Sequence, residues 1–388
     1  MSSQRVDPVL DTRSVIGVLI PILREEICGV KAENGSLDEE TLRTVSTTAK
    51  KHDVLHLVAD HLMRYRVCGS SELLEICKRE KAMAQYRYIH QNLALTKVSE
   101  LFEAEHIEFI PLKGAVTRDL YPEPWMRTCS DIDILIRQSD EKKAVDLLQE
   151  KLNAKHAFTG SHDIVFNLFS NVRLELHYRL MEENRANHAF EVLSDVWQYA
   201  LGDTCRKRLR DDMLYFYHIA HMAKHFEGGG CGIRPFIDLW LMNHRKDFDR
   251  SARRKLLEKG GLSVFAEKAE AISEKWFSGM EPEEDLVLIE NYILSGNSFG
   301  SMKRSLSIRK RRQGKKGYVV SRMFVDYDYL KKMYPVLEDH RILFPVFEVV
   351  RWFRFFEVKS RRHTAKELRI LKQDISDEEY SVLRQMGL

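Results

Sequence analysis

The hydrophobic positions of this chain change period twice. From residue 12 to about 105 they follow a helical spacing: Val15, Leu19, Ile22 and Leu23 share one face, and Gly29 is placed to end that helix. Ser36 and Glu39 read as a capping box for a helix running to about Lys51, and Asp53 as the cap of the next, VLHLVADHLMRYR. A long helix follows from about Ser71 to Glu105, with Leu93, Val98, Leu101 and Phe102 among its apolar positions. Between 106 and 180 short β-branched or aromatic runs (HIEFIPL, DIDILI, HDIVFNLF, VRLELHY) alternate with helices, one of them from Ser139 to Leu152. That is the pattern of an α+β core around a small mixed sheet. From about Ala189 the helical period returns in MLYFYHIAHMAKHF and RPFIDLWLMNHRKDF, split by Gly228-Gly229-Gly230.

The pattern divides the chain into an N-terminal helical region (1–105), an α+β core (106–185), a helical domain lining a cleft (186–300), a basic connector (301–323) and a C-terminal helical region (324–388). The first region reads as serving packing and substrate selection. With 388 residues, 44% of them hydrophobic and 10% aromatic, the chain has ample material for buried cores. No apolar run reaches the roughly 20 residues of a membrane-spanning helix. The two most apolar stretches, Val15 to Leu23 and Ile342 to Phe356, read as core helices. The start MSSQRVDPVLDTRS has no secretion signal, and the six cysteines form no CxxC pair or regular framework. A cytoplasmic protein with reduced thiols is expected, Cys129 being a small filler.

A net charge of +3 leaves any affinity for polyanions to local patches. One such patch is 301–323, where Lys303, Arg304, Arg309, Lys310, Arg311, Arg312, Lys315, Lys316 and Arg322 stand without an acidic residue. The bland reading is a solvated connector; the functional one is a polyanion contact at 303–322. Only Tyr318 lies within the run, so no aromatic series for base stacking accompanies it.

The chemistry concentrates in FIPLKGAVTRDLYPEPWMRTCSDIDIL, from Phe109 to Leu135, and in LELHYRL, from Leu174 to Leu180. Strand side chains alternate, so Asp131 and Asp133 project from one side of the sheet while Ile132, Ile134 and Ile136 pack the other. In the second stretch Glu175 and His177 share a face, which makes Glu175 a candidate third carboxylate. Carboxylates so grouped suit hard divalent cations, which link protein oxygens to substrate phosphates. Gly114, at a strand-to-helix turn, lets a triphosphate approach the backbone, and Lys113 and Arg127 add charge compensation.

LKGAVTRDLYP, WMRTCSDIDILI and LELHYRL together resemble a nucleotidyltransferase family of mostly uncharacterised bacterial proteins, within the DNA polymerase beta-like superfamily. The likeness extends more weakly over roughly 90 to 360. It implies a small mixed-sheet nucleotidyltransferase core with N- and C-terminal helical regions. It also implies transfer of a nucleoside monophosphate from a nucleoside triphosphate to a hydroxyl acceptor by a two-metal mechanism, with Mg2+ or Mn2+ as cofactor. By position, Asp131 and Asp133 match the metal-binding pair, Glu175 the third catalytic, metal-holding carboxylate, and Gly114 the turn glycine. Lys113, Gly114, Ala115, Arg127, His177 and Lys224 are the candidate nucleotide-binding residues. Lys113-Gly114-Ala115 departs from the superfamily's Gly-Ser pair, so the hydroxyl that touches a phosphate is missing.

His218, His221 and His225 fall on one helical face, as a cleft lining, a zinc site or buried structural histidines. Arg234 and Asp238 are spaced to pair on their own helix, with cleft lining as the second reading, and Tyr121 and Trp125 read as base-stacking residues or loop anchors. A small molecule or a protein ranks before RNA as acceptor. Two rivals remain: a catalytically silent nucleotide-binding or regulatory protein of the same fold, and a nucleic-acid-associated factor acting through 301–323. Under the enzymatic reading, changing Asp131 and Asp133 to Asn abolishes transfer and leaves the ligand-free melting temperature nearly unchanged.

Overall fold

Helices Thr12–Cys28 (α1), Glu39–Lys51 (α2) and Leu55–Arg64 (α3) lead into the 34-residue helix Ser71–Ala104 (α4). In this computed structural model the described residues are 12–32, 37–65, 70–182, 187–244, 247–279, 286–298, most of 300–311 and 324–354, and 377–388. Five strands then form the main sheet: Phe109–Pro111 (β1), Asp131–Ile136 (β2), Lys155–Thr159 (β3), Asp163–Asn167 (β4) and Arg173–His177 (β5). The one-turn helix Gly114–Thr117 (α5) follows β1, and Glu141–Leu152 (α6) follows β2. Beyond the sheet come Ala189–Ser194 (α7), Asp211–Glu227 (α8), Arg234–Asn243 (α9), Arg250–Gly260 (α10), Ser263–Ser278 (α11) and Val287–Leu294 (α12).

The sheet order is β1-β2-β5-β4-β3, with β2 and β5 parallel and the other neighbours antiparallel. The fold is therefore α+β with a small mixed sheet and flanking helices. Ile132, Ile134 and Ile136 are fully buried, each worth about 1.5–3 kcal/mol. A one-residue slip of β2 would turn all three towards the cavity face and push Asp131 and Asp133 into the apolar side, so the isoleucines lock the register that aims the acids. Strand β3, KHAFT, is exposed at every position and was not legible as a strand. Its existence rests on antiparallel pairing to β4.

Two apolar cores result. One joins α1–α3 to α8–α12; the other lies between the sheet, α6 and the later half of α4. Helix α4 spans both, with Leu73 and Cys77 in the first and Ala94, Val98 and Phe102 in the second. Leu93, expected among its apolar positions, is 46% exposed, so the inward face runs through Ala94, Leu95 and Val98 instead.

Local signals shift in three further places. The cap of α2 is Asp38, whose carboxylate accepts from Thr41 N–H, two residues beyond the expected Ser36. Asp53 does not cap α3; it takes a positive φ of 56° and turns to Thr128 and Arg234. The helix Phe344–Arg354 forms, but Ile342, Val346 and Phe353 are exposed, so this segment is not the core helix its composition suggested. Within the basic run, Arg304 is buried, with Glu379, Ser295 Oγ and Tyr292 O as partners, and Arg311 pairs with Asp377; 312–323 lie outside the described residues. No helix among the described residues is long and apolar enough to cross a membrane.

Candidate active site

The strand pair β2/β5 places Asp133 directly opposite Glu175, and alternation brings His177 to the same face one step further along. His177 Nε2–H donates to Asp133 Oδ1 at 2.8 Å, and Glu175 Oε2 lies 3.8 Å from the same nitrogen. Lys113 reaches over from the end of β1, its Nζ 2.6 Å from Asp133 Oδ1. To do so Lys113 holds φ 47° and ψ −127°, a conformation costing a residue with a Cβ about 1–3 kcal/mol. Asp131 lies at the outer end of the strand, its Oδ2 accepting from Ser130 Oγ at 3.1 Å.

These charges divide the carboxyls. Burial works to raise Asp133, but the Lys113 ammonium and the His177 hydrogen bond outweigh it and hold the group well below the usual carboxylate range. Burial and then the negative charge of Asp133 push Asp131 up. Glu175 is pushed up to about 7 by burial first and by Asp131 and Asp133 next. Burial would depress Lys113, yet Asp133 overcomes it and keeps the ammonium charged. Asp133, itself buried, is thus the counter-charge of a half-buried lysine, which removes the basis for expecting its change to Asn to leave the melting temperature untouched.

The loop before β2 is fixed by residues far away in sequence. His56 Nε2–H donates to Met126 O at 2.7 Å and Gln91 Nε2–H to Cys129 O at 2.9 Å. Arg127 grips Asp238 with Nε and Nη2, both 2.7 Å from its carboxylate oxygens, while Nη1 donates to Thr128 O. Tyr121 OH donates to the same Asp238 at 2.7 Å. The expected Arg234–Asp238 pair does not form, because Arg234 turns to Asp53 and Thr128 O. Tyr121 is therefore a loop anchor, and the Arg127 guanidinium, although it lines the cavity, is held by protein oxygens.

At the turn, a Cβ on Gly114 would meet Cys129 Cβ at 3.0 Å and Sγ at 3.1 Å, so the glycine serves close packing as well as any ligand approach. The Ala115 N–H donates to Leu112 O, and the Val116 and Thr117 N–H groups to Lys113 O. The turn consumes these amides, and Ala115 has no N–H left for a phosphate. Cys129 is buried, its thiol bonded to Gln91 Oε1 and pushed up by burial, consistent with a filler.

A cavity of about 300 Å³ joins the acids to α8 and α9. Its lining includes Lys113, Gly114, Arg127, Asp131, Asp133, Glu175, His177, His218, His221, Lys224 and His225, so most of the sequence-predicted residues converge. His218 Nε2–H is tied to Pro235 O, while His221 and His225 bring their Nε2 atoms to 3.3 Å. Burial drives His221 well below its ordinary value, so it is neutral. Sequence reasoning missed several lining residues, among them Tyr217 and His162. Tyr217 is buried against Lys113, and His162 stacks on His177 at 5.8 Å while facing Glu182. Nothing in GSHDIVFN marks His162, because only the β3–β4 turn carries it to the cavity.

A divalent ion fits here. One ligand atom each from Asp133, Glu175 and His177 lies within 4.8 Å of the others. Two carboxylates and an imidazole form a coherent donor set.

The parallel strands β2 and β5 of the mixed sheet thus present D-x-D opposite a third carboxylate, with histidines and a lysine of α8 lining the same cavity. Residues 38–278 match the family described as uncharacterised nucleotidyltransferase, and this chain belongs to it. The membership supports a general nucleotidyltransferase role. No curated protein and no solved structure matches the chain.

Proposed function

We propose that the protein transfers a nucleoside monophosphate from a nucleoside triphosphate to a hydroxyl acceptor, a small molecule or a protein before RNA. The observation that carries this reading is the facing of Asp133 and Glu175 across the parallel strands, beside Asp131 and in one cavity with Lys224, His221 and His225. Asp131, Asp133 and Glu175 are the carboxylates in this reading, with His177 beside them. Mg2+ or Mn2+ bound there would supply charge compensation at the triphosphate and a lower barrier to displacement at phosphorus. Lys224 and the α8 histidines form the wall against which the triphosphate tail lies. Gly114 gives the substrate close access to the turn, and Lys113 keeps the acid cluster charge-balanced.

The acceptor oxygen forms a bond to the α-phosphorus while the bond from that phosphorus to the α,β-bridging oxygen breaks. Pyrophosphate leaves with the electron pair. The acceptor's proton passes to Glu175. Asp133 stays ionised throughout, and His177 orients it.

The test is a pyrophosphate-release screen of the four nucleoside triphosphates, with Mg2+ or Mn2+, against a cell extract, followed by tracing label into protein, RNA or small molecules. Release that is lost in Glu175→Gln is the expected result. Nucleotide binding without release under any condition would refute the reading in favour of a silent nucleotide-binding protein.

A further inference from the structure

We propose that the solvent face of α4 is a self-association surface, on which a second copy of this chain packs antiparallel across a two-fold axis at Ile89.

Helix α4 buries one face, through Cys77, Ala84, Gln91, Ala94 and Val98. On the opposite side Arg79, Ala82, Tyr86, Ile89, Leu93, Thr96 and Glu100 recur at alternating steps of three and four, and all seven are exposed. That spacing is the seam of a coiled coil. On a straight helix it drifts by about 20° per heptad, which a shallow crossing of two helices absorbs. The water-facing side of a helix ordinarily carries charge. Here every exposed residue from Ala82 to Thr96 is uncharged, with Tyr86 50%, Ile89 60% and Leu93 46% exposed and Met83, at the edge of the seam, 44%. Single apolar residues on a surface need no partner, but a contiguous stripe of about four turns does.

The order along the seam selects both the partner and its direction. Ala82 and Thr96 stand equally far from Ile89 on its two sides, as nearly do Tyr86 and Leu93, and Arg79 and Glu100. An antiparallel copy therefore sets Ile89 against its own counterpart, Tyr86 against Leu93, Ala82 against Thr96 and Arg79 against Glu100, once at each end. Neither Arg79 nor Glu100 makes an ion pair among the described residues. A parallel copy would oppose arginine to arginine and glutamate to glutamate, which is repulsive. The Tyr86 ring already lies against His90, 4.1 Å between centroids, so it is held along the helix before a partner arrives, and such aromatic residues anchor interfaces.

From Arg79 to Glu100 the helix rises about 32 Å, and a partner helix would lie about 8–10 Å from its axis. One helix pair is a small interface, so the dimer is reversible and weak. The buried side of α4 donates Gln91 Nε2–H to Cys129 O and carries Tyr88 against Arg118. The second copy thus docks behind the helix that holds the loop before β2, and self-association does not depend on nucleotidyl transfer.

The experiment is sedimentation equilibrium of the full-length protein over roughly 1–100 µM chain. The expected result is a reversible monomer–dimer equilibrium within that range. Ile89→Asp should stay monomeric throughout while keeping the wild-type thermal melting curve, because position 89 faces water in the single chain. Arg79→Glu and Glu100→Arg should each weaken the dimer about tenfold, since each makes like charges meet at both ends. The chain carrying both changes restores opposite charges and should return to within about threefold of wild type. A wild type that is monomeric at every concentration overturns the proposal, as does a dimer that Ile89→Asp leaves intact. A double variant no tighter than the single ones overturns the antiparallel register. Recovery in the double variant also shows that the single losses came from charge and not from misfolding.

Discussion

Glu175→Gln should make the metal-free protein more stable at alkaline pH. The Glu175 side chain is 17% exposed, faces Asp133 across the strand pair, and has its carboxyl pushed from an ordinary 4.5 up to about 7. Below about 4.5 this group is protonated in both the folded and unfolded states. Between about 4.5 and about 7 the folded chain keeps a proton that the unfolded chain has lost, so stability falls as pH rises. Above about 7 the full penalty of the charged form is present. At about 1.4 kcal/mol per pH unit, that interval sets a ceiling of about 3 kcal/mol. Partial solvent access reduces the expectation to about 1–2 kcal/mol. The glutamine gives up a 3.4 Å contact with the half-exposed Arg173, worth under about 1 kcal/mol. Urea unfolding in EDTA at several pH values should show a gap near zero at pH 5 that grows to about 1–2 kcal/mol at pH 8. Added Mn2+ should reverse the order, since the ion binds only the folded wild-type cluster well. A variant no more stable than wild type at pH 8, or a gap independent of pH, would refute the strained acid cluster.

Asp133→Asn should cost about 1–3 kcal/mol, because it leaves the partly exposed Lys113 ammonium without its counter-charge, whereas Asp131→Asn should change stability by under about 1 kcal/mol; thermal melting of the two single variants separates them. Asp238→Asn should also lower stability by about 3–5 kcal/mol, since Arg127 and Tyr121 both depend on that carboxylate. Increased proteolysis within 121–130 would show that the loop has come free. Gly114→Ala should cost about 1–3 kcal/mol through its 3.0 Å approach to Cys129 Cβ, and a melting temperature equal to wild type would show that the turn yields instead.

Alternation within DIDILI and LELH was enough to put Asp131, Asp133, Glu175 and His177 on one face, since strand geometry converts spacing into direction without knowledge of neighbours. The helical regions and the mixed sheet were legible for the same reason: period and turn residues are local properties. What the sequence could not determine was pairing. Arg234 and Asp238 sit four apart, an arrangement that favours a local contact, yet Asp238 is captured by Arg127 from a loop 111 residues earlier and Arg234 by Asp53 from the turn between α2 and α3. Strand β3 has no inward face to betray it, and Asp53, placed like a cap, serves as a long-range counter-charge. His162 reaches the cavity only through a hairpin turn. The same holds for Lys113, whose place in the motif marks it as a phosphate ligand, while its ammonium lies against Asp133. Composition and periodicity decided which acids face together. The packing of β2 between β1 and β5 decided that a lysine and a histidine share their space, because contacts between distant segments are set by how cores close.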